Sequence, residues 1–306
     1  MRIFKYLAPE RIDVLKNQTL RFTQANYLND PFENLPFISK VMDEGYNNKF
    51  QEEYLNPALQ QAMSLQLTAE LLPPDVRGML PDEQWNEILS AYPMDQVFEM
   101  MPSLHPSNLF GALMNQMNES DPTTLLKESF NKQFGVLSLT RRNANLTMWS
   151  HYTNSHTGYV IEFDPSNHYF NKTINENDRL RKLNDIIYVD ERPNVTLFDS
   201  NFEEDKLIDH MVEKILLTKS KHWEYEEELR MIQPLNESDI QINNGDIHLF
   251  KFDAQAVKSV YFGVNASPEF KDNVLQLLSD LKYQHVDVYQ GELSKSEYKV
   301  LFQKVK

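Results

Sequence analysis

Glu226, Glu228 and Arg230 stand two residues apart in a segment dense with charge and aromatic rings, from Lys219 through Trp223 and Tyr225 to Met231. Along the approach to a strand, a period of two puts these three on one side and Tyr225, Glu227, Leu229 and Met231 on the other. Neighbouring carboxylates raise each other's pKa and a guanidinium lowers it. Such a group can hold one glutamate ionised against a substrate and the second in a supporting bond. A solvated strand edge with a weak surface ion pair uses the same residue types, and composition does not separate the two readings.

The densest aromatic cluster is Met148-Trp149-Ser150-His151-Tyr152, which continues through His156 and Gly158 into the apolar stretch 159–163. If it begins helically, Trp149 and Tyr152 are three apart and share a face, giving an aromatic wall beside the His151 imidazole that suits a flat ring ligand. The structural alternative is a Trp and a Tyr anchoring a core, with His bonded to backbone. His151 and His156 are five apart, not the i, i+4 pair of one helix face, and the chain has no cysteine, so no metal is expected here. A third cluster is Asn29-Asp30-Pro31-Phe32-Glu33, with Arg21 upstream. Its Asn-Asp-Pro triplet forces a turn, because the residue before proline avoids helical angles, and such turns are usually structural.

These clusters are far apart in the chain, so a large fold must gather them. With 306 residues and 41% hydrophobic side chains, a substantial core is expected. The eight glycines never fall within ten residues of one another, so neither a Gly-x-Gly-x-x-Gly turn nor a Walker phosphate loop can be written. The net charge of -15 disfavours general nucleic-acid binding. Without cysteine there are no disulfides and no thiol catalysis. With no apolar leader and no run long enough for a membrane span, a cytoplasmic protein without membrane association is expected.

Alternation and periodicity predict strands over 2–6, 19–23, 134–140, 159–163, 186–189, 228–233, 247–252 and 260–262, with extended segments at 286–289 and 300–302. Helices are predicted over 8–17, 148–155, 202–218 and 267–281. Between 46 and 132 the composition shifts, holding 8 of the 15 prolines and 7 of the 12 methionines, and short helices are predicted after Pro81 and Pro122. This reads as one α+β domain over 1–306, with a mixed, largely antiparallel sheet core and a helical Met/Pro-rich insertion at 46–132. A methionine-rich helical surface can bind a protein partner, although methionine at helical spacing also fills cores.

Taken in order, Phe4-Lys5-Tyr6, the segment from Leu20-Arg21-Phe22 to Glu33, Met148 to Gly158, and Lys219 to Arg230 resemble the motifs of a bacterial family, domain of unknown function 2971. Family members are often associated with mobile elements and phage-defence loci, which implies a toxin or defence effector. The order is also similar to that of ADP-ribosyltransferase-like domains. By that resemblance Lys5 or Tyr6 would read the nicotinamide ribose, Ser138 with Trp149 and Tyr152 would form the middle of the site, and Glu228 or Glu226 would be the late catalytic glutamate. The expectation is therefore a NAD-dependent mono-ADP-ribosyltransferase or NAD glycohydrolase, with NAD as substrate. Its catalytic residues would be Glu228, Glu226, Tyr152 and His151. The nucleotide would meet Lys5, Tyr6, Arg21, Asn29, Ser138, Trp149, His156, Trp223 and Arg230. Two other readings stand beside it. One is a metal-dependent nuclease with Asp30, Glu33, Glu226 and Glu228 around Mg²⁺ and Lys219 on the phosphate. The other is a non-enzymatic ligand-sensing or partner-binding module.

Overall fold

Ile3, Phe4, Tyr6 and Leu7 are buried on both faces of the opening strand β1 (Ile3–Leu7), the pattern of a central strand. The computed structural model describes residues 1–33, 37–57, 69, 77–91, 122–176, 178–201 and 204–306. Two compact units emerge: 1–37, 124–193 and 209–306 form the first, and 38–123 with 194–208 form the second.

In chain order, β1 leads through a 3₁₀ turn into α1 (Asp13–Asn17), and left-handed Gln18 turns the chain into β2 (Thr19–Phe22). β3 (Phe37–Met42), α2 (Glu44–Phe50), α3 (Asp82–Ala91) and α4 (Pro122–Gln133) follow. Next come β4 (Phe134–Thr140), α5 (Leu146–Tyr152), β5 (Tyr159–Phe163), β6 (Asn184–Asp185), β7 (Ile187–Val189) and β8 (Asn194–Phe198). The remainder is α6 (Glu204–Leu216), β9 (Thr218–Ser220), β10 (Glu228–Pro234), β11 (Ile240–Ile242), β12 (Ile247–Lys251), β13 (Val257–Phe262), α7 (Pro268–Leu277), β14 (Asp287–Leu293) and β15 (Val300–Lys304).

The first unit is built on an eight-stranded sheet of order β15-β14-β13-β5-β1-β4-β10-β6, antiparallel except for the β13–β14 pair. That pair is parallel because α7 provides the crossover between its strands. Together with the helices this is the α+β class expected from the sequence. One departure from a regular sheet matters for the site. β1 and β4 share a single register pair, Phe4 with Thr140, and further along β4 Val136 bonds Thr23 beyond β2 instead. Thus β4 leaves β1 for a new partner, and a fork opens between two central strands.

In the second unit β3 pairs with β8, and Asp43 caps α2 by accepting from the Tyr46 N–H at 2.7 Å and the Ser200 hydroxyl at 2.6 Å. The expected insertion at 46–132 and this unit overlap without coinciding. Met63, Met94, Met100, Met101, Met114 and Met117 lie outside the described residues, and with them most of the methionine surface expected to bind a partner. Among the described residues no helix is long and apolar enough to cross a membrane.

At α5 and α7 the boundaries differ from expectation for local reasons. α5 starts early because the Asn145 side chain accepts from the Met148 N–H, and it stops at Tyr152 because Asn154, Ser155 and His156 are all left-handed. α7 begins as expected at the Ser267 cap but ends at Leu277, before a separate 3₁₀ turn at Leu281–Tyr283.

Candidate functional site

The fork between β1 and β4 holds a cavity of about 230 Å³. Lys5 and Tyr6 reach it from β1, Ser138 from β4, Asn29 from the loop after β2, and Tyr152 from the end of α5; Glu226 and Glu228 line it beside Glu33 and Lys219. The seven residues Lys5, Tyr6, Asn29, Ser138, Tyr152, Glu226 and Glu228, all expected in the nucleotide site, therefore share one space. Where the β1–β4 ladder has ended, the Ser138 carbonyl accepts from the Lys5 ammonium at 2.8 Å. Burial pulls that ammonium down to about 8, against the opposing attraction of Glu228 and Glu226.

The two glutamates meet by a route other than strand alternation, which corrects the period-two expectation. Ser220 caps a 3₁₀ turn over Lys221–Glu226, and Glu227 then adopts a left-handed conformation at φ 43° before β10 begins. Glu226 thus lies in the turn, its carbonyl held by the Thr140 hydroxyl, while Glu227 is directed to Arg142. Lys219 joins the pair, its ammonium lying 2.8 Å from Glu226 Oε2 and 2.7 Å from Glu228 Oε2.

From this hub the network runs two ways. Towards the surface, the Tyr152 hydroxyl donates to Glu226 Oε1 and accepts from the Asn29 amide at 2.9 Å. Towards the interior, Arg230 donates to Glu228 Oε1 at 2.8 Å and to the Leu216 carbonyl at 2.7 Å, and it pairs with Glu33. Arg230 is fully buried, and Lys219, Glu33, Glu226 and Glu228 are nearly so. Each of these buried charges consequently has an opposite partner, and removing one partner of such a pair costs ~3–5 kcal/mol. Burial drives the Glu228 carboxyl above its ordinary range even though Lys219 opposes it. The Tyr152 phenol is also raised, first by burial and then by Glu226, so it stays a proton donor at neutral pH.

Other expected site residues are elsewhere. Trp149 is fully buried; its indole N–H donates to the Asn143 carbonyl at 2.8 Å, and its ring packs edge-on to Tyr6 at 5.4 Å. It is a core anchor and not a wall of the cavity, since helical spacing could not show that β1 covers this face of α5. His151 is exposed and does not line the cavity. His156 stacks on Trp149 at 6.0 Å, with burial lowering its pKa, and also lies outside the lining. Arg21 sits over the Tyr27 ring at 5.5 Å. Arg230 stands behind Glu228, and Trp223 lines a second cavity.

The His156 to Gly158 stretch has a structural role. A Cβ at Gly158 would meet the Leu7 carbonyl oxygen at 2.2 Å, and one at Gly263 would meet the His156 carbonyl oxygen at 2.0 Å. The left-handed turn is thereby wedged between β1 and the end of β13.

Two contributors were not read from the sequence. The Tyr188 hydroxyl accepts from the Glu228 N–H at 2.8 Å, and the Leu216 carbonyl anchors Arg230. Lys219 was expected to support a phosphate, yet it is the hub between the glutamates; its place nine residues before Glu228 was the available signal. Of the carboxylates assigned to a Mg²⁺ site, Glu33, Glu226 and Glu228 face Lys219, and Asp30 accepts from the Phe32 N–H at 2.9 Å. Among the described residues, no cluster of His, Asp and Glu has metal-binding geometry.

Residues 148–231 match the family described as Protein of unknown function (DUF2971), which supports the family resemblance over that span. No curated protein and no solved structure matches the chain.

Proposed function

We propose that the fork cavity binds the reacting end of a nucleotide and that the protein is an ADP-ribosyltransferase-type transferase or NAD glycohydrolase. The observation that carries this reading is the chain Asn29–Tyr152–Glu226–Lys219–Glu228 along the cavity, with Lys5 on the adjoining strand. At about 230 Å³ the cavity is smaller than the ~300–1,000 Å³ usual for whole ligands, so it suits a ribose and its base better than an entire dinucleotide.

Release of nicotinamide takes the bonding electron pair with the leaving base and leaves positive charge on the ribose. A fixed carboxylate beside that carbon binds the transition state more tightly than the substrate. The sequence favoured Glu228 for this part. Its oxygens, however, are held by Lys219 and Arg230 on the interior side, whereas Glu226 is joined to the outward-leading Tyr152 and Asn29. In our reading Glu226 meets the developing charge and Glu228 positions it through Lys219. Tyr152 orients the Glu226 carboxylate, and Lys5 holds a ribose hydroxyl or phosphate oxygen. Trp149, His151 and His156 drop out of the reacting set.

The test is nicotinamide release from NAD by the purified protein, with and without cell extract as acceptor source. Glu226→Gln should lower the rate by about a hundredfold or more. No release by the wild type, or equal release by the variant, removes the proposal.

A further inference from the structure

A second cavity, about 460 Å³, borders the same ion cluster through Glu33 and Lys219 and falls within the ~300–1,000 Å³ common for small-ligand sites. Its character differs from that of the fork. Phe32, which is 59% exposed, and the half-buried Trp223 face it with Pro31, Pro193 and Ile215. Exposed aromatic rings gathered at a concave surface mark a binding site more often than chance exposure does. Lys214 lines the same space, is half-buried, and has no ion pair or hydrogen bond among the described residues. An ammonium in that position is open to an anion.

We propose that this cavity binds a planar aromatic ring carrying an anionic group, with Trp223 and Phe32 taking the ring and Lys214 the anion. This goes beyond the reading of the fork cavity and does not require it. The walls limit the charge of the occupant. Asp190 and Glu191 also line the space, Asp190 lying 3.6 Å from Lys221, so a second anionic group on the occupant would meet like charge. A compact ligand with its charge on one side suits this better than a polyanion. The site also adjoins the network already described: Glu33 and Lys219 line both cavities, and the Lys219 ammonium lies 5.0 Å from the centre of the Trp223 ring. An occupant stacked on Trp223 therefore neighbours the cation that holds Glu226 and Glu228.

A nucleoside monophosphate and an aromatic carboxylate share this chemistry, and calorimetric titration of the full chain distinguishes them. The probes are adenosine monophosphate, indole-3-acetate, adenosine and inorganic phosphate. At least one of the first two should bind saturably and about tenfold or more tighter than adenosine or phosphate. The one that binds identifies the source of the ring. Lys214→Met should reduce the anionic probe to the affinity of the neutral ring. Phe32→Ala, at an exposed position, and Trp223→Leu should each weaken both kinds of ring. No saturable binding of either aromatic anion at millimolar concentration, or binding that none of the three substitutions weakens, overturns the proposal. Because the readout is equilibrium binding, failure to cleave NAD has no bearing on it.

Discussion

The large sheet carries two buried carboxylate sites, and they are built differently. On β5, Glu162 accepts two hydrogen bonds from Arg2 at 2.8 Å and one from Tyr261 at 2.7 Å, and the Arg2 side chain is 57% exposed. Burial pushes this carboxyl up, but the bonds from Arg2 and Tyr261 outweigh it and hold its pKa below the ordinary value. Beside β10, three carboxylates and two cations are packed around a cavity, and the Glu228 carboxyl remains above its ordinary value despite Lys219. One site satisfies a single charge with local partners. The other gathers several charges and sets Glu33, Lys219, Glu226 and Glu228 against a cavity, and such perturbed groups concentrate where ligands are bound or bonds are made.

Removing the cation from each site should expose that contrast most strongly. Arg230→Met leaves Glu228 and Glu33 without their buried guanidinium and should destabilise the protein by ~3–5 kcal/mol. Arg2→Met opens a pair whose cation is already half in water, and the loss should be about 1 kcal/mol or less. Urea unfolding of both variants measures the difference. Equal losses would mean that the β10 cluster is an ordinary structural ion pair.

Much of this arrangement could be read from the chain, and what could not was non-local. Alternation located β1, β4, β5 and β10, and Lys5, Asn29, Ser138, Tyr152, Glu226 and Glu228, each named from the sequence, line one cavity. The spacing of Trp149 and Tyr152 was sound as far as it went. Which of them faces the cavity depends on Tyr6 and Phe302, which pack against the indole from distant parts of the sequence. The fork was invisible for a similar reason, because β4 exchanges β1 for Thr23 without any change in its own pattern. Glu227 is left-handed without being glycine, so nothing in its residue type announced the turn that delivers Glu226. β3 and β8 were not anticipated at all.

A smaller effect separates structure from activity by comparing two tyrosines in the same chemical role. Tyr152 donates to Glu226 and Tyr261 donates to Glu162. Replacing either with Phe removes the hydrogen bond donated to a carboxylate, together with the one accepted from Asn29 or from Arg2, and should cost ~1.5–3 kcal/mol in thermal or urea unfolding. Only Tyr152→Phe should also slow nicotinamide release, by at least about tenfold, because only that hydroxyl orients a carboxylate in the fork cavity. Equal activities for the two variants would count against a reacting role for Glu226.

The finest test concerns pH, where the two carboxylates should act with opposite sign. A glutamate whose folded pKa is depressed adds stability that is complete above its unfolded pKa, about 4.3, and is lost as the pH falls through the folded value. Glu162 is that case. A glutamate whose folded pKa is raised binds a proton in the folded protein at pH values where the unfolded chain has released it. Its contribution is therefore greatest below about 4.3 and declines as the pH rises through the folded value. Glu228 is this second case. Unfolding free energies of the wild type, Glu162→Gln and Glu228→Gln, measured from acid to neutral pH, give two difference curves. The wild-type advantage over Glu162→Gln should shrink towards acid, and the advantage over Glu228→Gln should shrink towards neutrality. Parallel curves would show that Lys219 and Arg230 fully compensate the burial of Glu228, and the contrast between the two sites would then be one of geometry alone.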